Sequence, residues 1–113
     1  MPGHDHVLLQ DLSRIEAMDE QLDAMAREVA GGLVRGDIAA CTVALKVRYP
    51  DFTTVTRSRT FPVPTTNARR IGSTAKDLLR RTEAARRKVR LLGVSVSTLV
   101  PAAMRQLELF DDA

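Results

Sequence analysis

At 113 residues, the chain can hold one domain with a modest core. Its 27% charged and 44% hydrophobic residues exclude wholesale disorder. No apolar run reaches the roughly 18–20 residues of a membrane-spanning helix. Met1-Pro2-Gly3-His4-Asp5-His6 lacks the basic start and apolar stretch of a secretory signal. The single Cys41 excludes an internal disulfide and a multi-cysteine zinc site. A cytoplasmic location is expected.

The net charge of +3 is unevenly spread. Residues 1–41 carry three basic against eight acidic side chains (−5), residues 42–105 fourteen against three (+11), and residues 106–113 three acidic ones (−3). Such a basic block is either a solvated surface or a face for a polyanion, because clustered Lys and Arg displace counterions from phosphates.

Val7-Leu8-Leu9 reads as a short first strand. Ser13 with Glu16 three residues on makes a capping box. Behind it Ile15, Met18, Leu22, Met25, Val29 and Leu33 recur at spacings of three and four, which predicts an amphipathic helix over residues 14–35 that stops at Gly36. Thr42 to Tyr49 alternates: Val43, Leu45, Val47 and Tyr49 form a core face, and Thr42, Ala44, Lys46 and Arg48 the other. Pro50-Asp51 signals a turn, and residues 52–61 read as the second arm of a hairpin. Alternation fails there, since Val55 and Phe61 share parity with Arg57 and Arg59; a β-bulge is one way to re-aim the arginines.

Pro62-Val63-Pro64 is expected to end that strand, with Thr65, Thr66 or Asn67 capping a helix over residues 67–84. Residues 88–99 form the last strand, with Leu92, Val94 and Val96 inward and Gly93, Ser95 and Ser97 outward. The order β-α-β-β-α-β gives an α+β fold of the split βαβ type. Both helices cover one face of an antiparallel sheet, and the other stays open. A domain over residues 1–100 precedes a tail over residues 101–113.

No catalytic constellation emerges. Asp19, Glu20, Asp23 and Glu28 lie off the helix's apolar stripe and read as a solvated face. His4 and His6 lack a third metal ligand, Cys41 reads as a small buried hydrophobe, and Ser95 and Ser97 have no plausible histidine base. The chain alone is not an enzyme and calls for no cofactor. Its open sheet face, built of hydroxyls, glycine and basic residues, suits phosphate oxygens rather than bases. No helix is free to read a base sequence. The tail Gln106-Leu107-Glu108-Leu109-Phe110 places three large apolar residues in an acidic terminus, either packed back on the domain or offered to a partner's pocket.

The segment from Thr42 to Thr60, with Lys88-Val89-Arg90-Leu91-Leu92-Gly93-Val94, resembles the C-terminal "little finger" domain of Y-family DNA polymerases, in the bacterial DNA polymerase IV (DinB) branch. Gln106-Leu107-Glu108-Leu109-Phe110 is similar to the bacterial sliding-clamp-binding pentapeptide. The resemblance spans about residues 4–110 and implies a domain that grips template-primer duplex in a translesion polymerase. It assigns phosphate contacts to Thr56, Arg57, Ser58, Arg59, Thr60 and Arg90. Lys46 and Arg48 join them by their strand parity. It also assigns clamp contacts to Gln106, Leu107, Leu109 and Phe110, with the clamp (the DNA polymerase III beta subunit) and duplex DNA as partners. The family's palm, fingers and thumb, with the carboxylates that hold magnesium, do not occur in these residues. The chain is therefore read as a piece of a longer polymerase, the alternative being a stand-alone clamp-binding protein that competes with other clamp clients.

Overall fold

A computed structural model describes residues 4–103, and residues 4–12 by their backbone alone. The elements run β1 (His4–Leu12), α1 (Ile15–Arg35), β2 (Ile38–Arg48), β3 (Thr54–Thr65), α2 (Ala68–Leu79) and β4 (Val89–Pro101). The strands form one sheet in the order β1-β4-β2-β3, and every neighbouring pair is antiparallel. Each β-α-β unit therefore straddles one strand, as the split plan requires. α1 packs on β1 and β4, α2 on β2 and β3, and the two helices touch each other.

The core lies between this helical layer and one face of the sheet. Met18, Leu22, Met25, Val29 and Leu33 of α1 are buried against Val43, Leu45 and Val47 of β2 and Leu92, Val94 and Val96 of β4. Each large side chain so enclosed contributes about 1.5–3 kcal/mol. Met18 and Met25 are core filler, as their place in the stripe implies.

The ends of α1 differ from expectation. Its N-cap is Arg14, which makes no side-chain cap, so the Ser13–Glu16 box does not form. Glu16 instead lies 3.8 Å from the Arg14 guanidinium, both exposed. Gly36 ends the helix in a right-handed conformation (φ −86), and the left-handed step falls on Asp37 (φ 56).

α2 is shorter than its periodicity suggests. The Asn67 side chain caps it by accepting from the N–H groups of Arg69 and Arg70. At its other end Thr82 turns the chain away, its hydroxyl donating to the Leu79 carbonyl (2.6 Å) and accepting from the Ala84 N–H (3.2 Å). Asp19 and Asp23 are not a freely solvated pair: both are half-buried and tied to α2. Arg80 grips Asp19 with two nitrogens (2.9 and 2.6 Å), and Lys76 lies 3.1 Å from Asp23. The bond to Asp19 holds the Arg80 guanidinium more firmly protonated than usual.

The helices meet closely at Gly72, where a Cβ would lie 2.8 Å from Asp23 Oδ1 and 3.3 Å from the Ala26 Cβ. Gly72→Ala is expected to destabilise the fold by about 1 kcal/mol despite alanine's better helix propensity. A urea midpoint unchanged or raised in that variant would contradict this packing.

All four strands outrun their sequence signals. β1 is longer than Val7-Leu8-Leu9. β2 starts at Ile38, where small buried Ala39 and Ala40 hide the alternation. β3 continues through Pro62 and Pro64 to Thr65. Proline is tolerated there because β3 is an edge strand, and because residues 61–64 face the single residue Cys41 across a register shift. Cys41 is only half-buried, not the enclosed hydrophobe expected. β4 runs to Pro101, and the Ala102 N–H donates to the Asp37 carbonyl (3.1 Å), so ordered contacts pass the expected boundary at residue 100.

Candidate nucleic-acid interface

Register defines the open face. Val43, Leu45 and Val47 pair with Val96, Val94 and Leu92 on the core side, so Thr42, Ala44, Lys46 and Arg48 share the outer side with Ser97, Ser95, Gly93 and Leu91. On the other flank Thr42, Ala44, Lys46 and Arg48 pair with Thr60, Ser58, Thr56 and Thr54. A shallow groove of about 180 Å³ lies at the centre, where Gly93 lowers the floor between Ala44, Lys46, Thr56 and Ser95. Across β2 and β3 this surface is thus a row of hydroxyls with two cations, Lys46 and Arg48, set in it.

The hydroxyls are organised. Thr42 shares hydrogen bonds with Thr60 and Thr98, each 3.0 Å between hydroxyl oxygens. Thr98 reaches that side from a left-handed backbone (φ 57), a strained state for a β-branched residue. The Arg48 Nε donates to the Thr54 hydroxyl at 3.0 Å, which holds the guanidinium along the face.

Arg57 and Arg59 lie elsewhere. The β2–β3 register runs unbroken from Thr54 to Thr60, so no bulge re-aims them, and they pair with Leu45 and Val43 of the core side. Both therefore belong to the helix side of the β3 edge, where Arg59 lies 3.7 Å from Asp77 of α2. Their placement corrects the expectation of an arginine-lined open face. Thr56, Ser58 and Thr60 do lie on it, together with Thr54. The hydroxyls at alternate positions 54, 56, 58 and 60 were the sequence signal for this row.

The β2–β3 turn is firmly built. The Phe52 N–H donates to the Tyr49 carbonyl (2.8 Å) and the Tyr49 N–H to the Thr53 carbonyl (2.9 Å). Phe52 sits in the left-handed region (φ 67), where glycine is usual in such turns. Its ring is 65% exposed and lies 5.5 Å from the Arg90 guanidinium.

Asp51 locks the turn. Its carboxylate accepts from the Thr53 N–H (2.9 Å) and from Arg87 (3.1 Å). The Thr53 backbone donation, with help from its hydroxyl and from Arg87, holds the carboxyl below its ordinary value near 3.8. A depressed folded-state pKa stabilises the fold above the ordinary value, and that contribution is lost as pH falls through the depressed one. The protection factor of the Thr53 amide should therefore fall on acidification below about pH 4. Asp51→Asn should remove this pH step, and an identical step in the variant would assign it to another group.

Among the described residues no group of three or more His, Cys, Asp or Glu converges to hold a metal. Of the acidic side chains of α1, Asp19 and Asp23 are engaged by Arg80 and Lys76. No helix among the described residues is long and apolar enough to cross a membrane. The side chains of His4 and His6, and Gln106, Leu107, Leu109 and Phe110, lie outside the described residues.

The model of the impB/mucB/samB family C-terminal domain matches residues 3–109. The chain belongs to this family, the little finger domain of Y-family DNA polymerases. It is 44% identical over 111 residues to DNA polymerase IV of Alkalilimnicola ehrlichii, covering 96% of the chain and 31% of that protein. To DNA polymerase IV of Moorella thermoacetica it is 39% identical over 108 residues, covering 96% of the chain and 27% of the relative. It thus spans about a third of these relatives. A solved Y-family DNA polymerase chimera shares the fold with a TM-score of 0.76 at 17% identity, over 89% of this chain and 29% of the other. The little finger domain of polymerase IV, solved in complex with the beta-clamp processivity factor, gives a TM-score of 0.67 at 21% identity over 88% of both chains.

Proposed function

We propose that this little finger domain is a non-catalytic module of a translesion DNA polymerase that holds template-primer duplex through phosphate contacts and tethers the enzyme to the sliding clamp. One observation carries the duplex contact. The helix-free face presents Thr54, Thr56, Ser58 and Thr60 beside Lys46 and Arg48, and no aromatic residue of β2, β3 or β4 pairs into that row. Hydroxyls and cations bind phosphate oxygens and carry no base code, so binding is sequence-tolerant. Arg57, Arg59 and Arg90 contribute from the margins, where long side chains can reach a backbone passing the edge. Nucleotidyl transfer and its magnesium belong to domains of the longer polymerase.

The clamp contact is assigned to the tail, with Leu107, Leu109 and Phe110 filling an apolar cleft and Gln106 a polar subsite. A structural neighbour, a little finger domain solved with a beta clamp, supports this assignment. Tethering raises the local concentration of duplex to about millimolar for a short linker. Deleting residues 106–110 should abolish binding to the clamp and leave duplex affinity unchanged. Equal clamp binding by the truncated chain would sink the tail assignment, and loss of both activities would deny that the two contacts are separate.

A further inference from the structure

The helix side of the sheet carries a second basic feature. Beside the β3 edge, the β2–β3 turn and residues 80–87 enclose a concavity of about 370 Å³ whose walls include Tyr49, Arg57, Arg81, Glu83, Arg86 and Arg87. Four guanidinium groups meet one carboxylate there. Glu83 is engaged by Arg87 at 3.4 Å, and Arg87 also reaches Asp51 at 3.1 Å. Arg87 is stacked 4.0 Å over the Tyr49 ring, and the Tyr49 hydroxyl accepts the Glu83 N–H at 3.0 Å. One wall is thus pre-formed. Arg57, Arg81 and Arg86 make no ion pair among the described residues. Three like charges thus line a space whose one carboxylate, Glu83, is already engaged by Arg87, and Arg57 donates only to the Thr56 carbonyl at 3.0 Å.

We infer that this concavity holds the backbone phosphates of a single-stranded nucleic-acid segment that continues from the duplex on the open face. The inference rests on the duplex reading of that face. Arginine forks match phosphate oxygens in pairs. A duplex has a persistence length of about 50 nm and does not fold round the edge of a body whose least dimension is 19 Å. A single strand does. A basic groove that tracks the backbone is how single strands are held without sequence preference.

The test is fluorescence anisotropy across salt with a blunt duplex and with the same duplex carrying a 5′ thymidine overhang. In the wild-type chain the overhang should add affinity and steepen the salt slope by about 0.7 per phosphate held. Arg81→Gln with Arg86→Gln should remove that gain and leave blunt-duplex binding unchanged. Arg27→Gln with Arg35→Gln, which removes the same charge from α1, should change neither. Matching thermal melts establish that each variant is folded. No overhang gain in the wild type would overturn the proposal, as would equal losses on both ligands in Arg81→Gln/Arg86→Gln or the same loss in the α1 control. An acidic peptide held by the concavity, with no overhang gain, would assign it to another partner and overturn it too. Lys46→Gln with Arg48→Gln isolates the duplex reading, because failure of that reading leaves blunt-duplex binding untouched by this pair alone.

Discussion

Replacing Lys46 and Arg48 together by glutamate is expected to lower duplex affinity about a hundredfold, from two charge-assisted contacts of roughly 1.5 kcal/mol each. The slope of log K against log salt should flatten by about two, since each lost phosphate contact removes about 0.9. Both residues stand on the open face, opposite Thr56 and Thr54 of β3. Arg48 is aimed there by its bond to the Thr54 hydroxyl. Neither belongs to the core, so urea midpoints should stay close to the wild type. On the proposed phosphate contacts the loss should be equal for unrelated duplex sequences. A loss confined to one sequence would mean that bases are read, and unchanged affinity would remove the open face from the interface.

Tyr49→Ala is expected to cost about 4 kcal/mol, within the range for truncating a large aromatic in a core. Tyr49 is 1% exposed, its ring lies under Arg87 and its hydroxyl accepts the Glu83 N–H. It therefore joins the end of β2 to the segment between α2 and β4. Tyr49→Phe keeps the ring and orphans one half-buried N–H, for a cost of about 1–2 kcal/mol. Urea unfolding of the two variants separates packing from the hydrogen bond. Equal costs would show that the ring is not enclosed as described. The alanine variant should also free Arg87, so the wall of the arginine concavity depends on the same side chain.

These two tyrosine contacts mark where the sequence stops being legible. The stripe from Ile15 to Leu33 and the alternation from Val43 to Tyr49 announce their elements, because burial on one side imposes a period that composition alone can carry. From them the helical layer, the open face and the split strand order all follow. The prolines at 62 and 64 mislead, because their tolerance depends on β3 being an edge, a property of the sheet and not of the segment. Ser13 and Glu16 satisfy a capping pattern that does not form, and Glu16 lies beside Arg14 instead.

At the site the hydroxyl row is readable at positions 54, 56, 58 and 60. Arg57 and Arg59 look like members of it only while their facing is unknown. The unbroken pairing with Leu45 and Val43 puts them on the other side. The arginine concavity is not readable at all, since it joins Arg57 to Arg81 and Arg86 across more than twenty residues. The partners of Asp19 and Asp23 are hidden for the same reason, because pairing with α2 is a consequence of helix packing.

The most direct test of the central claim is the anisotropy of a labelled blunt duplex titrated with this chain across salt, for two unrelated sequences. Phosphate gripping predicts equal affinity for both sequences and a slope of log K against log salt steeper than about −2, from three or more phosphates held. Sequence-dependent binding, a slope near zero, or no binding even at low salt would contradict it.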